Sequence, residues 1–183
     1  KLKKILIVEM IITISEISST TTGSLIDKEV QRIMKDYKLR IDPGNLNKIL
    51  YYVKRDFLGY ERIDSMMRDH LIEDISCDGV GVPIYVWHRE YESIPTNVVF
   101  HTNEELNRFV VRLAYKCGKH ISFAAPILDG SLPDGSRANA TFGTEISTKG
   151  TTFTIRRFKA DPLTVVDLMD LGTINADIAA FLW

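Results

Sequence analysis

The sequence predicts an α+β fold: a small helical amino-terminal subdomain, then a mixed-sheet α/β domain with one long packed helix, then a helical linker. Three observations carry this. Apolar residues recur at helical spacing up to Phe57; short β-branched runs divided by Gly and Pro take over from Leu71; and one strongly amphipathic run interrupts those strands after Thr102. The corresponding boundaries are 1–65, 66–160 and 161–183.

The elements follow in order. The apolar, β-branched stretch 5–14 is too short to span a bilayer and reads as a buried strand. Residues 18–23 (SSTTTG) read as a flexible loop, with Ser24 available to cap a helix that carries Val30, Ile33, Met34 and Tyr37. Asp42-Pro43 starts a second helix, because the carboxylate caps and the missing proline N–H costs nothing in a first turn. Its apolar face is Leu46, Ile49, Leu50, Val53 and Phe57, and Gly59 supplies the stop.

Strands are predicted over 72–77 and 84–88 around a Gly-rich turn at 79–83, with a third over 91–95. Thr102 and Glu105 then form a capping box for a helix whose core positions are Leu106, Phe109, Val110, Leu113, Ala114 and Cys117, ended by Gly118. Three further strands are divided at Asp129-Gly130, Asp134-Gly135 and Gly150, the last of them holding 153–158. Helical patterns return at 165–171 and 176–183. Phe181, Leu182 and Trp183 are large apolar side chains that need a surface, so the natural protein is expected to continue beyond them.

Composition narrows the chemistry. In 183 residues, 23 Lys+Arg against 24 Asp+Glu leave a formal charge of -1, so no global field draws the chain to nucleic acid or anionic lipid. Two distant cysteines, Cys77 and Cys117, suit a reducing compartment and read as small buried apolar residues. His70, His88, His101 and His120 have no partner at metal-ligand spacing. Gly118-Lys119 is the only Gly-Lys pair, and it lacks both the glycine five residues earlier and the following Ser or Thr of a phosphate-binding loop. Glu73, Asp74 and Asp78 read as surface or turn-capping carboxylates.

Three arginines remain as candidates. Arg137 follows the Asp134-Gly135 turn, and Arg156 and Arg157 lie on the last strand. Guanidinium forks on strands clamp anions well, and alternation puts only one of Arg156 and Arg157 on the face of Arg137, although by themselves the three also read as solvated surface charges. A different reading takes Phe153, Phe158, Arg156, Arg157 and Lys159 together, as interleaved aromatic and basic groups of a stand-alone nucleic-acid- or small-ligand-binding module.

Several blocks occur in a telling order: ILYYVKRDF (49–57), IEDISCDGVGVPIYVWHREY (72–91), CGKHIS from Cys117, PILDGSLPDGSRANAT (126–141), FTIRRF from Phe153 and DPLT from Asp161. From about Lys28 onward they resemble the amino-terminal region of archaeal type II/type IV secretion-system ATPases, a family that includes archaellum and pilus-assembly motors. The resemblance implies a non-catalytic upper tier of a homo-hexameric ring, continuing into an ATPase domain that carries the phosphate-binding loop. It implies ATP with Mg in the cleft between tiers, and no tightly held nucleotide on this chain alone. Arg137 and Arg156, with Arg157 as the alternative, are implied to reach toward the phosphates, and residues 161–173 to act as the hinge. A membrane platform protein is the implied docking partner and the cytoplasmic face of the membrane the implied location, with no nucleic acid bound.

Overall fold

The computed structural model describes residues 19–38, 41–158 and 163–182. They divide into two compact units between His70 and Leu71. The predicted strand over 5–14 lies outside the described residues.

In the first unit, helix α1 (Ser19–Asp36) and helix α2 (Pro43–Phe57) bury Ile26, Val30, Ile33 and Val53 against Met34, Leu46, Ile49, Leu50 and Phe57. The predicted loop at 18–23 is overturned from Ser19 onward, and Ser24 lies within α1 rather than capping it. Ser and Thr cost a helix only a few tenths of a kcal/mol each, less than a run of added backbone hydrogen bonds recovers. Asp42 caps α2 as expected, accepting from the Gly44 N–H at 3.0 Å. A short 3₁₀ turn, Glu61–Ile63, leads into helix α3 (Asp64–Arg68). Gly59 is required there: a Cβ would stand 2.1 Å from Asp64 Oδ1, a carboxylate oxygen that accepts from the Tyr60 N–H at 3.0 Å.

The second unit is a six-stranded sheet: β1 (Ile72–Cys77), β2 (Pro83–His88), β3 (Glu92–Val99), β4 (Ile127–Ser131), β5 (Arg137–Thr141) and β6 (Thr152–Arg156). The order across it is β3-β2-β1-β6-β5-β4. Every pair is antiparallel, so strand direction is not mixed and the α+β class holds. β3 is longer than predicted, and Pro95 sits within it without breaking a central ladder because β3 is an edge strand.

Helix α4 (Asn103–Lys116) turns Leu106, Phe109, Val110, Leu113 and Ala114 into the core. Phe109 meets Phe153 of β6 with ring centroids 5.0 Å apart, and Phe100 packs on both. Thr102 caps α4 by accepting from the Glu105 N–H at 3.2 Å. The reciprocal half of the predicted box differs: Glu105 Oε2 accepts from the His101 N–H, one residue before the cap.

Asp129-Gly130 is not a turn but the middle of β4. Packing explains the choice: a Cβ on Gly130 would lie 2.9 Å from Cys117 Cβ, so the glycine admits the end of α4. The turn falls at Asp134-Gly135, where Gly135 takes φ +86°. Two short helices follow, α5 (Val165–Asp170), with a complete Thr164–Asp167 capping box, and α6 (Ala176–Leu182). Among the described residues no helix is long and apolar enough to cross a membrane.

Candidate anion-binding site

The sheet has two unlike faces. Toward α4 it presents Ile75, Val86, Leu128, Ala138, Ala140, Phe153 and Ile155, all buried. The opposite face carries exposed or half-exposed side chains, and the strand register lines them up. Ser131 pairs with Arg137, Arg137 with Arg156, Arg156 with Asp74, Asp74 with Trp87, and Trp87 with Ser93. One row therefore crosses all six strands. The next row is Asp129, Asn139, Thr154, Ser76, Tyr85 and Pro95.

Arg137 and Arg156 are thus direct cross-strand neighbours, on strands about 4.8 Å apart. Like charges in that position repel. Each is drawn outward by a carboxylate. Arg137 makes a two-toothed pair with Asp129, Nε to Oδ1 at 3.0 Å and Nη2 to Oδ2 at 2.9 Å. Arg156 Nε donates to Asp74 Oδ1 at 3.1 Å. The hydrogen bonds from Arg137, ahead of its charge and that of Lys119, hold the Asp129 carboxyl below the usual carboxylate range. The same pairing raises Arg137 further.

Arg157 stands apart. It follows the last residue of β6, its N–H donates to the Glu73 carbonyl at 2.8 Å, and Nη1 reaches the Ile72 carbonyl at 3.4 Å. Of the two alternatives, the register puts Arg156 beside Arg137.

The loop before Arg137 is held from three sides. Asp134 accepts from the Ser136 N–H at 3.1 Å and from Ser136 Oγ at 2.9 Å. Ser136 Oγ in turn accepts from the Phe158 N–H at 3.1 Å, just past β6. The Phe158 ring lies against Gly135, where a Cβ would come within 3.1 Å of it. The segments leading into Arg137 and out of Arg156 are therefore tied to the hydroxyl of one buried serine.

The grouping of Phe153 with the basic residues as a stacking surface is overturned. Phe153 is 1% exposed and belongs to the Phe100–Phe109 core. Phe158 is exposed, and Lys159 lies outside the described residues. Sequence reading gave Asp74 a surface role but not its pairing with Arg156, and missed the other residues that share the open face: Asp129, which pairs with Arg137, and Tyr85 and Trp87, which are 37% and 46% exposed. The alternation Tyr85-Val86-Trp87 was the available signal, since it puts both large rings on one side of a strand. Cys77 is buried as expected, whereas Cys117 is only half-buried; burial pushes both thiols up. No cluster of three or more metal-ligating side chains occurs among the described residues.

Three uncharacterized proteins of Methanocaldococcus jannaschii are similar in sequence. MJ1288 is 43% identical over 147 residues, MJ0900 39% over 155 and MJ0781 42% over 117. These matches cover 80%, 84% and 64% of this chain. The chain spans only 58%, 28% and 16% of those proteins' own lengths. No family model matches. Among solved structures, the VirB11 ATPase from the Brucella suis type IV secretion system, in complex with sulphate, aligns with a TM-score of 0.49 and 19% identity, covering 60% of this chain and 32% of that one.

Proposed function

We propose that this chain is the nucleotide-facing, non-catalytic front domain of a hexameric motor ATPase of the secretion and archaellum type. Arg137 and Arg156 would contribute cations to the phosphates of ATP and Mg bound mainly by a following ATPase domain. The observation that carries this is the direct pairing of Arg137 with Arg156 on the open face of the sheet. Two rigid guanidinium groups side by side suit a polyphosphate better than any single carboxylate. The block resemblance to secretion ATPases supplies the identity of that polyphosphate. A membrane platform protein as docking partner, and a place at the cytoplasmic face of the membrane, belong to the same proposal.

The chain holds only the arginine side of such a site, so its own affinity for nucleotide is expected to be weak. The test begins with the gene downstream of the Trp183 codon, where a phosphate-binding loop is expected within a few dozen codons. In the protein that carries it, Arg137→Ala and Arg156→Ala are expected to lower ATP turnover at least tenfold, with ring assembly intact. Unchanged turnover in both variants would remove the pair from the site.

The alternative, a stand-alone nucleic-acid- or small-ligand-binding module, now draws on Tyr85 and Trp87, which share the open face with Arg156 two strands away, with Asp74 between Trp87 and the arginine. Oligonucleotide binding that weakens steeply with salt and is lost in Trp87→Ala would favour it.

A further inference from the structure

We infer that Asp129 and Asp74 are internal stand-ins for phosphate, occupying the arginine pair until a polyphosphate displaces them. The inference rests on the reading of Arg137 and Arg156 as phosphate-facing, and adds a form of control that the reading does not contain.

The geometry is that of an occupied anion site. Arg137 presents two N–H groups to Asp129, and both carboxylate oxygens accept, at 3.0 and 2.9 Å. A phosphate oxygen pair would use the same two donors. Arg156 donates to Asp74 through Nε alone, at 3.1 Å, from the other side of the pair. The carboxylates come from β4 and β1, the strands flanking the arginines' own β5 and β6, so each guanidinium is drawn away from its neighbour.

Displacement requires little. The Arg137 side chain is 65% exposed and Asp129 53%, and the Arg156 side chain is 79% exposed. Exposed ion pairs contribute little to stability, so breaking them leaves the fold intact. Once released, the two guanidinium groups repel each other unless an anion lies between them. That anion must carry more charge than one carboxylate to win, which selects polyphosphates over carboxylates and chloride. Asp129 also faces Lys119, whose Nζ donates to the Asp129 backbone carbonyl. A third cation therefore stands beside the group that would be displaced.

The stand-ins change what the site reports. Without them the pair would hold any passing anion; with them it responds only to a multivalent one. Loss of the polyphosphate returns each arginine to its own carboxylate, so the site has two defined states in place of one ordered and one disordered.

The experiment titrates the 183-residue chain and five variants of it with inorganic tripolyphosphate at low ionic strength, by calorimetry. Asp129→Asn and Asp74→Asn are expected to bind at least about twofold more tightly than the parent chain, the order of an exposed ion pair's worth. Asp170→Asn removes the same charge from α5 and is expected to match the parent. Arg137→Ala and Arg156→Ala are expected to lose most of the binding. Weaker binding in the arginine variants, with no gain in either asparagine variant beyond Asp170→Asn, overturns the stand-in role and leaves the phosphate-facing reading standing. Arginine variants that bind like the parent overturn that reading itself. Absence of binding in every variant, the asparagine ones included, overturns the stand-in role, and the phosphate-facing reading is then decided by the turnover of the arginine variants in the protein that carries the phosphate-binding loop.

Discussion

Arg137 on β5 and Arg156 on β6 stand directly opposite each other, yet their side chains turn apart, one to Asp129 and the other to Asp74. Two cations side by side are a liability in a sheet that needs only to be stable. They are an asset in one that meets polyphosphate.

The Asp129 carboxyl is expected to titrate below the ordinary carboxylate range, because Arg137 stabilises its charged form. A depressed folded-state value means the pair's contribution is present above the unfolded carboxylate range and is lost as pH falls through the folded value. A carbon-detected NMR titration reads the midpoint directly. Arg137→Ala is expected to return it toward the ordinary value; an unmoved midpoint would mean that the pair does not persist in solution.

Ser136 is the buried residue whose hydroxyl joins the turn before Arg137 to the chain after Arg156. Ser136→Ala leaves the Phe158 N–H and the Asp134 carboxylate without that partner. The expected cost is about 1–3 kcal/mol, visible as a lower denaturation midpoint. Tripolyphosphate binding is expected to weaken with it, because the arginines lose their common anchor. A variant of parental stability and affinity would show that the turn is held by its backbone alone.

Trp87 belongs to the open face, whereas Phe153 belongs to the core. Buried against Phe100 and Phe109, its replacement by Ala is expected to destabilise the fold by about 3–5 kcal/mol through loss of packing. Phe153→Leu keeps most of the volume, and is expected to leave any ligand affinity unchanged. Trp87→Ala, by contrast, removes an exposed ring from the open face and is expected to leave stability nearly unchanged. Loss of oligonucleotide affinity in Phe153→Leu at parental stability would restore the stacking role that burial denies it.

How much was legible varied with the range of the forces involved. The caps at Asp42 and Thr102, the amphipathic face of α4, the Asp134-Gly135 turn and the strands at 72–77 and 84–88 were all readable, since a few neighbouring residues decide each. The Asp129-Gly130 pair was misread because a glycine that permits a turn also permits close approach, and only Cys117 across the core distinguishes the two. Phe153 was misread for a similar reason: alternation says that Phe153 and Arg156 differ in face, but not which face is covered.

By itself the sequence determined the α+β class, the order of the longer elements and the candidacy of three arginines, because local propensity and hydrophobic period are written into consecutive residues. Tertiary structure alone decided that Arg156 rather than Arg157 stands beside Arg137. It alone revealed the carboxylate beside each, since Asp74 and Arg156 are brought together by strand register across 82 positions of sequence. Register is set by the packing of a whole sheet face against α4, and no window of neighbouring residues contains it.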